Sequence, residues 1–194
     1  MNISDYLSTI DELCLDIDPG TEPWQIISLL DEMIVARIKS LPTEEYDING
    51  TVAVHKTAQI DETAILKGHL IVGKNCFVGP FSMLRGSVVL GESCSIGPSC
   101  EVKTSIICDN SSLGHFNFVG DSIVGSNVNF EAGALTANHH NDREDKRIFI
   151  NEKDIGVTKF GAVVGDDTKL GANSATSPGT VLDKGTIVDR LELI

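Results

Sequence analysis

Residues 54–102 read VHKTAQIDETAILKGHLIVGKNCFVGPFSMLRGSVVLGESCSIGPSCEV, and this stretch decides the fold. An aliphatic residue recurs in it at every sixth position, namely Val54, Ile60, Leu66, Val72, Val78, Leu84, Leu90, Ile96 and Val102. A helix would repeat about every 3.6 residues and a half-buried strand about every two, so neither explains the pattern. A period of six, with glycine after several of the aliphatic residues, predicts a solenoid of short strands and tight turns.

The same phase returns near the C-terminus, at Val164, Leu170, Thr176, Leu182 and Val188. Between the two blocks the register slips by single residues around 103–125, and a polar segment interrupts it. Three six-residue sides make one coil of about eighteen residues, and coils stack as parallel strands about 4.8 Å apart. The sequence therefore predicts an all-β fold, a parallel β-helix with a protruding loop at about 138–160. The slips and the loop mark places where function can override the pattern.

Residues 1–47 follow a helical period instead. A first apolar stripe is formed by Leu7, Ile10, Leu13 and Cys14, and a second by Ile26, Leu29, Leu30, Met33, Ile34 and Ile38. Thr21 is placed to cap the second helix, with Pro23 in its first turn. We predict that residues 1–47 are a helical cap over one end of the β-helix, where unpaired strand edges invite aggregation. Residues 48–194 would form the β-helix domain.

Charge and composition limit the partners of this chain of 194 residues. Its formal net charge is −13, so nucleic acid is not expected as a partner, and a bound phosphate would need a local cluster of cations. No apolar run is long enough to span a membrane. The acidic, amphipathic N-terminus does not resemble a signal peptide, and five cysteines are an odd number. These features predict reduced thiols and a cytoplasmic location.

Eighteen-residue stacking brings two basic residues together. Arg85 follows the aliphatic Leu84, and Lys103 follows Val102 one coil later, so both lie at one corner. Adjacent positive charges repel unless an anion lies between them, and a phosphate would fit the guanidinium fork and the ammonium group. The alternative is a pair of solvated turn residues whose repulsion is relieved by the nearby Glu101.

The cysteines and histidines give weaker signals. Cys76, Cys94 and Cys100 occupy the small-residue position of the repeat and are interpreted as core residues, and no metal-ligand spacing joins them. His55 and His69 are expected to face solvent. The adjacent His139 and His140 have diverging side chains, so joint metal binding is not expected. His115 lies inside the register slip, where a structural and a catalytic role both remain open.

Three segments carry a resemblance to a known family: GPFSMLRG (79–86), EVKTSI (101–106) and LGHFNFVGDSIVGSNVNFEAGALTAN (113–138). They resemble the acetyltransferase domain of glucosamine-1-phosphate acetyltransferase/N-acetylglucosamine-1-phosphate uridyltransferase, a hexapeptide-repeat acyltransferase. The later segment KFGAVVGDDTKLGANSATSPGT (159–180) looks more like the archaeal sugar-phosphate nucleotidyltransferase/acetyltransferase relatives. The resemblance implies a left-handed β-helix, an exception to the usual crossover hand, and homotrimers with active sites between subunits.

The resemblance also implies a set of site residues. Phosphate binding falls on Arg85 and Lys103, the pair that stacking brings together, and the catalytic residues fall on His115 and Glu101. The asparagines that hold the sugar fall on Asn129 and Asn138. A backbone contact to coenzyme A falls at Ala132. Two departures stand out: Phe118 replaces a tyrosine that assists phosphate binding, and the nucleotidyltransferase domain is absent from this sequence.

The predicted function is acetyl-CoA-dependent transfer of an acetyl group to an amino sugar phosphate such as glucosamine-1-phosphate. Histidine ordinarily titrates near neutral pH, so His115 could take the amine proton in a direct transfer that needs no metal. Backbone N–H groups of Ala132 and Gly133 could stabilise the oxyanion. Phe118 leaves open a different amino sugar or a sugar hydroxyl. The alternative from another class is a non-enzymatic trimeric β-helix that assembles or regulates a sugar nucleotidyltransferase.

Overall fold

The computed structural model describes residues 1–13, 15–18 and 20–194, so the predicted core position Cys14 lies outside the described part. Most of the chain is a parallel β-helix, as predicted, preceded by one α-helix, α1 (Pro23–Ile38). The strands are β1 (Tyr46–Asn49), β2 (Val52–His55), β3 (Gln59–Ile60), β4 (Ile65–Val72), β5 (Phe77–Val78), β6 (Met83–Leu90), β7 (Ser95–Ile96), β8 (Glu101–Ile107), β9 (Ser112–Leu113), β10 (Phe118–Gly120), β11 (Ile123–Val124), β12 (Asn129–Phe130), β13 (Leu135–Thr136), β14 (Phe149–Ile150), β15 (Lys153–Asp154), β16 (Ala162–Val164), β17 (Lys169–Leu170), β18 (Ala175–Thr176), β19 (Thr180–Leu182) and β20 (Ile187–Val188).

Strand pairing confirms the stacking rule and locates the slips. Val54 pairs with Val72 and Val72 with Leu90, each eighteen residues apart. Leu90 then pairs with Ile107, a step of seventeen residues, because the ladder between β6 and β8 shifts register after Arg85. A second step of seventeen residues follows, from Ile107 to Val124. The predicted slips around 103–125 are therefore two shortened coils.

The long strands β4, β6 and β8 continue round one corner of the coil, so each contributes to two of the three sides. The third side is the separate ladder of β3, β5, β7, β9, β12, β17 and β20. The aliphatic repeat residues fill the interior, where Leu84, Ile96 and Val102 are fully buried. Cys76, Cys94 and Cys100 are buried in this interior as free thiols, which confirms the core interpretation, and Cys108 is buried as well. Burial raises the pKa of the Cys108 thiol far above its usual range, which makes it a poor nucleophile.

The N-terminal segment differs from its prediction in two ways. The first predicted helix consists of two short 3₁₀ turns, Ile3–Asp5 and Ile10–Leu13, and α1 begins after Glu22, not Thr21. More importantly, the segment packs along a side of the β-helix and does not cover its end. Ile27, Leu30 and Ile34 of α1 belong to a second buried cluster with the outward-facing residues Ala53, Ile71, Val89 and Ile106. One side of the solenoid is apolar on both faces, so a helix must cover it.

Two further sets of contacts cover the edge of the first coil and attach the N-terminal segment to later coils. β1 pairs antiparallel with β2 and so occupies the free edge of the first coil, the role that sequence reasoning gave to the helices. Near the other end, Asp166 joins the N-terminal segment to the coils: its carboxylate accepts hydrogen bonds from the Ser8 N–H at 2.8 Å and the Ser126 N–H at 2.9 Å. None of the helices in the described part is long and apolar enough to cross a membrane.

The predicted loop separates two coils that are otherwise neighbours. Val124 pairs with Val164, forty residues later. The Phe160 N–H donates to the Asn138 carbonyl at 3.0 Å, which brings the two ends of the loop together. Inside the loop β14 and β15 form an antiparallel hairpin. Its residues Ile148, Ile150 and Ile155 are buried in the cluster that includes α1, so the loop packs against the N-terminal helix.

Candidate active site

A column of three basic residues crosses neighbouring coils. Lys67 pairs in register with Arg85, and Arg85 pairs with Lys103. The predicted stacking of Arg85 on Lys103 is therefore confirmed, and Lys67 extends it by one coil. All three point outward, because the residues before them, Leu66, Leu84 and Val102, belong to the core.

Two of the three cations have carboxylate partners, so part of the positive charge that stacking brings together is neutralised. The Arg85 guanidinium donates from Nε to Glu101 Oε1 at 2.6 Å. The Lys103 ammonium lies 2.7 and 2.6 Å from the two carboxylate oxygens of Asp121. Arg85 makes no other hydrogen bond within the described residues, so its two terminal nitrogens remain free to bind an anion in bidentate fashion.

Asp121 also organises the base of the loop. The Asn138 side-chain amide donates to Asp121 Oδ2. Phe118 lies beside the same group: a Cβ on Gly120 would meet the Phe118 ring at 2.6 Å and the Asn138 amide nitrogen at 2.8 Å. The lack of a side chain at Gly120 therefore lets the Phe118 ring and the Asn138 amide come together above Lys103. Five predicted residues, Arg85, Glu101, Lys103, Phe118 and Asn138, share this face.

A cavity of about 600 Å³ opens at this corner. Its walls include Lys67 and Arg85 from the column, Asp121, and Lys159 from the end of the loop. α1 contributes Ser28 and Asp31 to the lining. The N-terminal helix therefore forms one wall of the cavity, a role for residues 1–47 that the prediction of an end cap did not include.

His115 lies at the opposite end of the same side. It precedes Gly120, the residue paired with Lys103, by five positions, a separation of about 16 Å for extended chain. His115 is exposed in the turn after β9, and so is Phe116, which has a left-handed φ of 56°. No atom of His115 contacts the Arg85 and Glu101 pair through a hydrogen bond or salt bridge in the described part of the chain. Glu101 is thus bound to Arg85 and not to the imidazole of its own chain.

The corner that carries His115 exposes large apolar side chains. Phe81 and Phe116 are 72% and 73% exposed, and Leu191 at the same corner is 79% exposed. All three have φ near 60°, a conformation uncommon for bulky residues. Backbone hydrogen bonds from Phe116 to Pro98 and from Leu191 to Ala172 follow the column of turns. Ser99, Gly133 and Asn173 occupy the turns between them in the same column, so exposed apolar side chains alternate with small or polar residues along this corner.

The predicted coenzyme A contacts lie on this corner as well. The Gly133 N–H donates to the His115 carbonyl at 2.8 Å, so it cannot serve as the oxyanion donor suggested by the sequence. The Ala132 N–H has no acceptor among the described residues and keeps that capacity. Gly133 instead has a structural requirement, because its φ is +74° and a Cβ there would lie 2.2 Å from Asn173 Oδ1.

Asn129 lies apart from Asn138, on the third side of the coil. It lines a second cavity of about 540 Å³ together with Glu131, Lys169 and Arg190. Arg190 donates to both carboxylate oxygens of Glu131 at 2.8 Å, and this ion pair lowers the pKa of the Glu131 carboxyl. Within one chain the two predicted sugar-binding asparagines therefore do not meet.

Sequence reasoning missed four groups of this region: Lys67, Asp121, Lys159 and Asp31. The signal for the first two was present, because Lys67 precedes Arg85 by eighteen residues and Asp121 follows Lys103 by eighteen. Lys159 and Asp31 reach the cavity through the loop and through α1, which no repeat rule could indicate. In the described residues no cluster of His, Cys, Asp and Glu could hold a metal ion.

Two histidines differ from their prediction as solvent-facing residues. His55 is 8% exposed, and its Nδ1 lies 2.9 Å from the Thr57 hydroxyl. Its ring packs edge-on against Tyr46, which fixes the β1–β2 hairpin. His69 is half-buried in the wall of the first cavity, and its Nδ1 is buried without a hydrogen-bond partner in the described structure.

Comparisons with known proteins agree with this architecture. The family model for the GMPPB C-terminal domain matches residues 48–140. The bifunctional sugar-1-phosphate nucleotidylyltransferase/acetyltransferase of Sulfurisphaera tokodaii is 34% identical over 164 residues, covering 81% of this chain. The bifunctional protein GlmU of Methanococcus vannielii is 38% identical over 84 residues, covering 43% of this chain. The resemblance to hexapeptide-repeat acyltransferases is confirmed.

This chain spans less than half the length of these curated relatives. The match covers 41% of the length of the Sulfurisphaera protein and 20% of the Methanococcus protein. Among solved structures, a hexapeptide transferase family protein from Anaplasma phagocytophilum aligns with a TM-score of 0.45 and 23% identity, covering 73% of this chain and 72% of that one.

Proposed function

We propose that the chain transfers an acetyl group from acetyl-CoA to the amine of an amino sugar phosphate, of which glucosamine-1-phosphate is the model acceptor. The observation that carries the proposal is the pairing of Arg85 with Lys103 in register, beside a cavity of about 600 Å³ that opens on an acidic protein. Acyltransferase relatives supply the reaction class. The phosphate-binding residues alone would fit many phosphorylated ligands.

The phosphate would bind to the free edge of Arg85. Because Glu101 accepts only the Nε proton, the protons of both terminal nitrogens of Arg85 remain for a ligand. Lys103 contributes charge from the next coil, oriented by Asp121. The Asn138 amide, fixed on the same Asp121, would hold a sugar hydroxyl. Phe118 would pack against the sugar and supplies no hydroxyl to the phosphate.

His115 would act as the general base. The acceptor nitrogen attacks the thioester carbonyl, the new N–C bond forms, and the amine proton passes to the imidazole. The C–S bond then breaks, and the coenzyme A thiolate takes the proton. The Ala132 N–H, which has no acceptor among the described residues, would stabilise the oxyanion. All reacting bonds lie in the substrates, so no covalent enzyme intermediate is needed.

Assembly completes the proposed site. His115 and the Arg85 column are about 16 Å apart along one side, too far to act on one small acceptor within a chain. The exposed side chains of Phe81, Phe116 and Leu191, at the corner that carries His115, would pack against a neighbouring copy and bring its His115 to the first cavity. A closed three-fold ring produces three equivalent sites of this kind. Residues 48–194 would then form the acyltransferase domain, and residues 1–47 would contribute α1 to the wall of its site.

A thiol-release assay tests the reaction. Purified chain, acetyl-CoA and a panel of amino sugars with and without phosphate are combined, and free coenzyme A is measured. Release that depends on a phosphorylated amino sugar supports the proposal. Release with a sugar hydroxyl acceptor would move the reaction to O-acylation, and no release with any acceptor would favour the non-enzymatic assembly module.

A further inference from the structure

The basic column has a third member that the phosphate clamp does not use. Lys67 pairs in register with Arg85 in the coil on its N-terminal side, and both residues line the first cavity. Lys103, in contrast, is absent from that lining and has its ammonium group on Asp121. The cavity therefore extends from the Arg85–Lys103 pair, which the family resemblance indicates, by one coil towards Lys67.

Two ammonium groups in this cavity have no anionic partner in the part of the chain that the structure describes. Lys67 and Lys159 make neither a hydrogen bond nor an ion pair with any residue that the structure describes. The lining carboxylates are engaged elsewhere, because Asp121 holds Lys103 and Asp31 Oδ1 accepts from the Glu32 N–H at 2.9 Å. In a chain of net charge −13, Lys67 and Lys159, together with the terminal nitrogens of Arg85, form a local site for an anion.

The number and spacing of these cations exceed what one phosphate requires. Successive members of the column are one coil repeat apart, about 4.8 Å, so a single phosphate can bridge only two of them. Two linked phosphates can follow the column, one between Lys103 and Arg85 and the next between Arg85 and Lys67. Lys159, from the loop, would contact the second phosphate from another direction.

We infer that the first cavity binds a diphosphate, and that the acceptor is an amino sugar carried on a nucleoside diphosphate. This inference rests on the proposed acetyl transfer and names its substrate class. Ser28 and Asp31 of α1 line the same cavity and can hydrogen-bond ribose hydroxyls. The N-terminal helix would thereby contribute to the choice of acceptor.

Coenzyme A also contains a diphosphate, so the source of the group must be tested. Isothermal titration of the full chain with inorganic phosphate, inorganic pyrophosphate, UDP and coenzyme A measures binding without turnover. The variant is Lys67→Met. The matched control is Lys74→Met, an exposed lysine in the same coil at a different corner. Thermal melting checks that each variant is folded.

Pyrophosphate and UDP are expected to bind the wild type more tightly than phosphate. Lys67→Met should weaken both by about tenfold, the worth of one charge-assisted hydrogen bond, while phosphate changes little and Lys74→Met changes nothing. Equal weakening of phosphate and pyrophosphate would overturn the inference. If Lys67→Met weakened the binding of coenzyme A and left that of UDP unchanged, the diphosphate would belong to the donor and the inference about the acceptor would be wrong. A failure of thiol release with every acceptor would overturn the proposed transfer but leave these binding results intact.

Discussion

Arg85 and Glu101 are joined across two neighbouring coils by a hydrogen bond of 2.6 Å from the guanidinium Nε to the carboxylate Oε1. Both side chains are more than a third exposed, so the pair adds little to the free energy of folding. Its consequence is orientation: the carboxylate occupies one edge of the guanidinium and leaves the other edge for a ligand. Lys103 and Asp121 form the corresponding pair one coil later, and there both groups are largely buried.

The first prediction concerns the phosphate clamp. Arg85→Ala should raise KM for a phosphorylated acceptor by about 10- to 100-fold, because hydrogen bonds to charged groups are lost. Its effect on an acceptor without phosphate should be much smaller. Lys103→Ala should raise the same KM and also lower Tm, since it removes the cation that neutralises the buried Asp121 carboxylate. Steady-state kinetics with the two acceptors and thermal melting measure both effects, with Lys74→Ala as the control. Equal losses on both acceptors would show that the pair is structural.

The second prediction concerns the base. His115→Ala should lower kcat by about 10²–10⁴, the usual contribution of a positioned general base. Because His115 is exposed in a turn, Tm should change little. The loss should shrink at high pH, where more of the acceptor amine is already deprotonated. His140→Ala, a histidine of the loop whose only ion-pair partner among the described residues is Asp142, is the control. Full activity in a folded His115→Ala variant would remove the base role.

The third prediction concerns assembly. Sedimentation at the assay concentration should show a trimer, and Phe116→Asp should convert it to monomers without thiol release, because a charge would replace an apolar contact. The side chain is 73% exposed in the single chain, so the monomer itself should stay folded. Phe77→Asp changes an exposed phenylalanine outside the His115 corner and serves for comparison. An active monomer at the assay concentration would contradict the shared site.

The fourth prediction concerns pH and the N-terminal segment. Burial opposes ionisation of Asp166, but hydrogen bonds from Ser126 and Ser8 outweigh it and lower the pKa of the carboxyl below its ordinary value. A lowered pKa means that the stabilisation is complete above the pKa of the unfolded chain, about 3.9, and is lost as the pH falls through the folded value. Asp166→Asn should cost about 2 kcal/mol at neutral pH, and its difference from the wild type should shrink below about pH 4.

Denaturant unfolding at a series of pH values measures this linkage. Asp167→Asn is the matched control, because Asp167 is the exposed neighbour and asparagine tolerates its left-handed φ of 61°. A difference between Asp166→Asn and the wild type that persists unchanged in acid would show that the carboxylate charge is not what binds Ser8 and Ser126.

Much of the fold could be predicted because stacking is a local rule. The six-residue repeat in residues 54–102 determined the coil, the inward positions and the pairing of Arg85 with Lys103. The same rule applied one coil further in each direction would have found Lys67 and Asp121. The helical stripe of residues 26–38 predicted α1 correctly, because an amphipathic helix needs only its own period to be recognised.

The sequence by itself thus determined the β-helix, its shortened coils, its loop and the order of side chains along each corner, because residues one coil apart must touch. Only the tertiary structure decided where the elements outside the repeat come to lie. It placed α1 along a side of the solenoid, where the outward-facing Ile71, Val89 and Ile106 are buried, and not over its end. It also brought Asp31 and Lys159 to the cavity at Arg85. Such contacts join segments with no common period, and they are set by which apolar surfaces must be buried together.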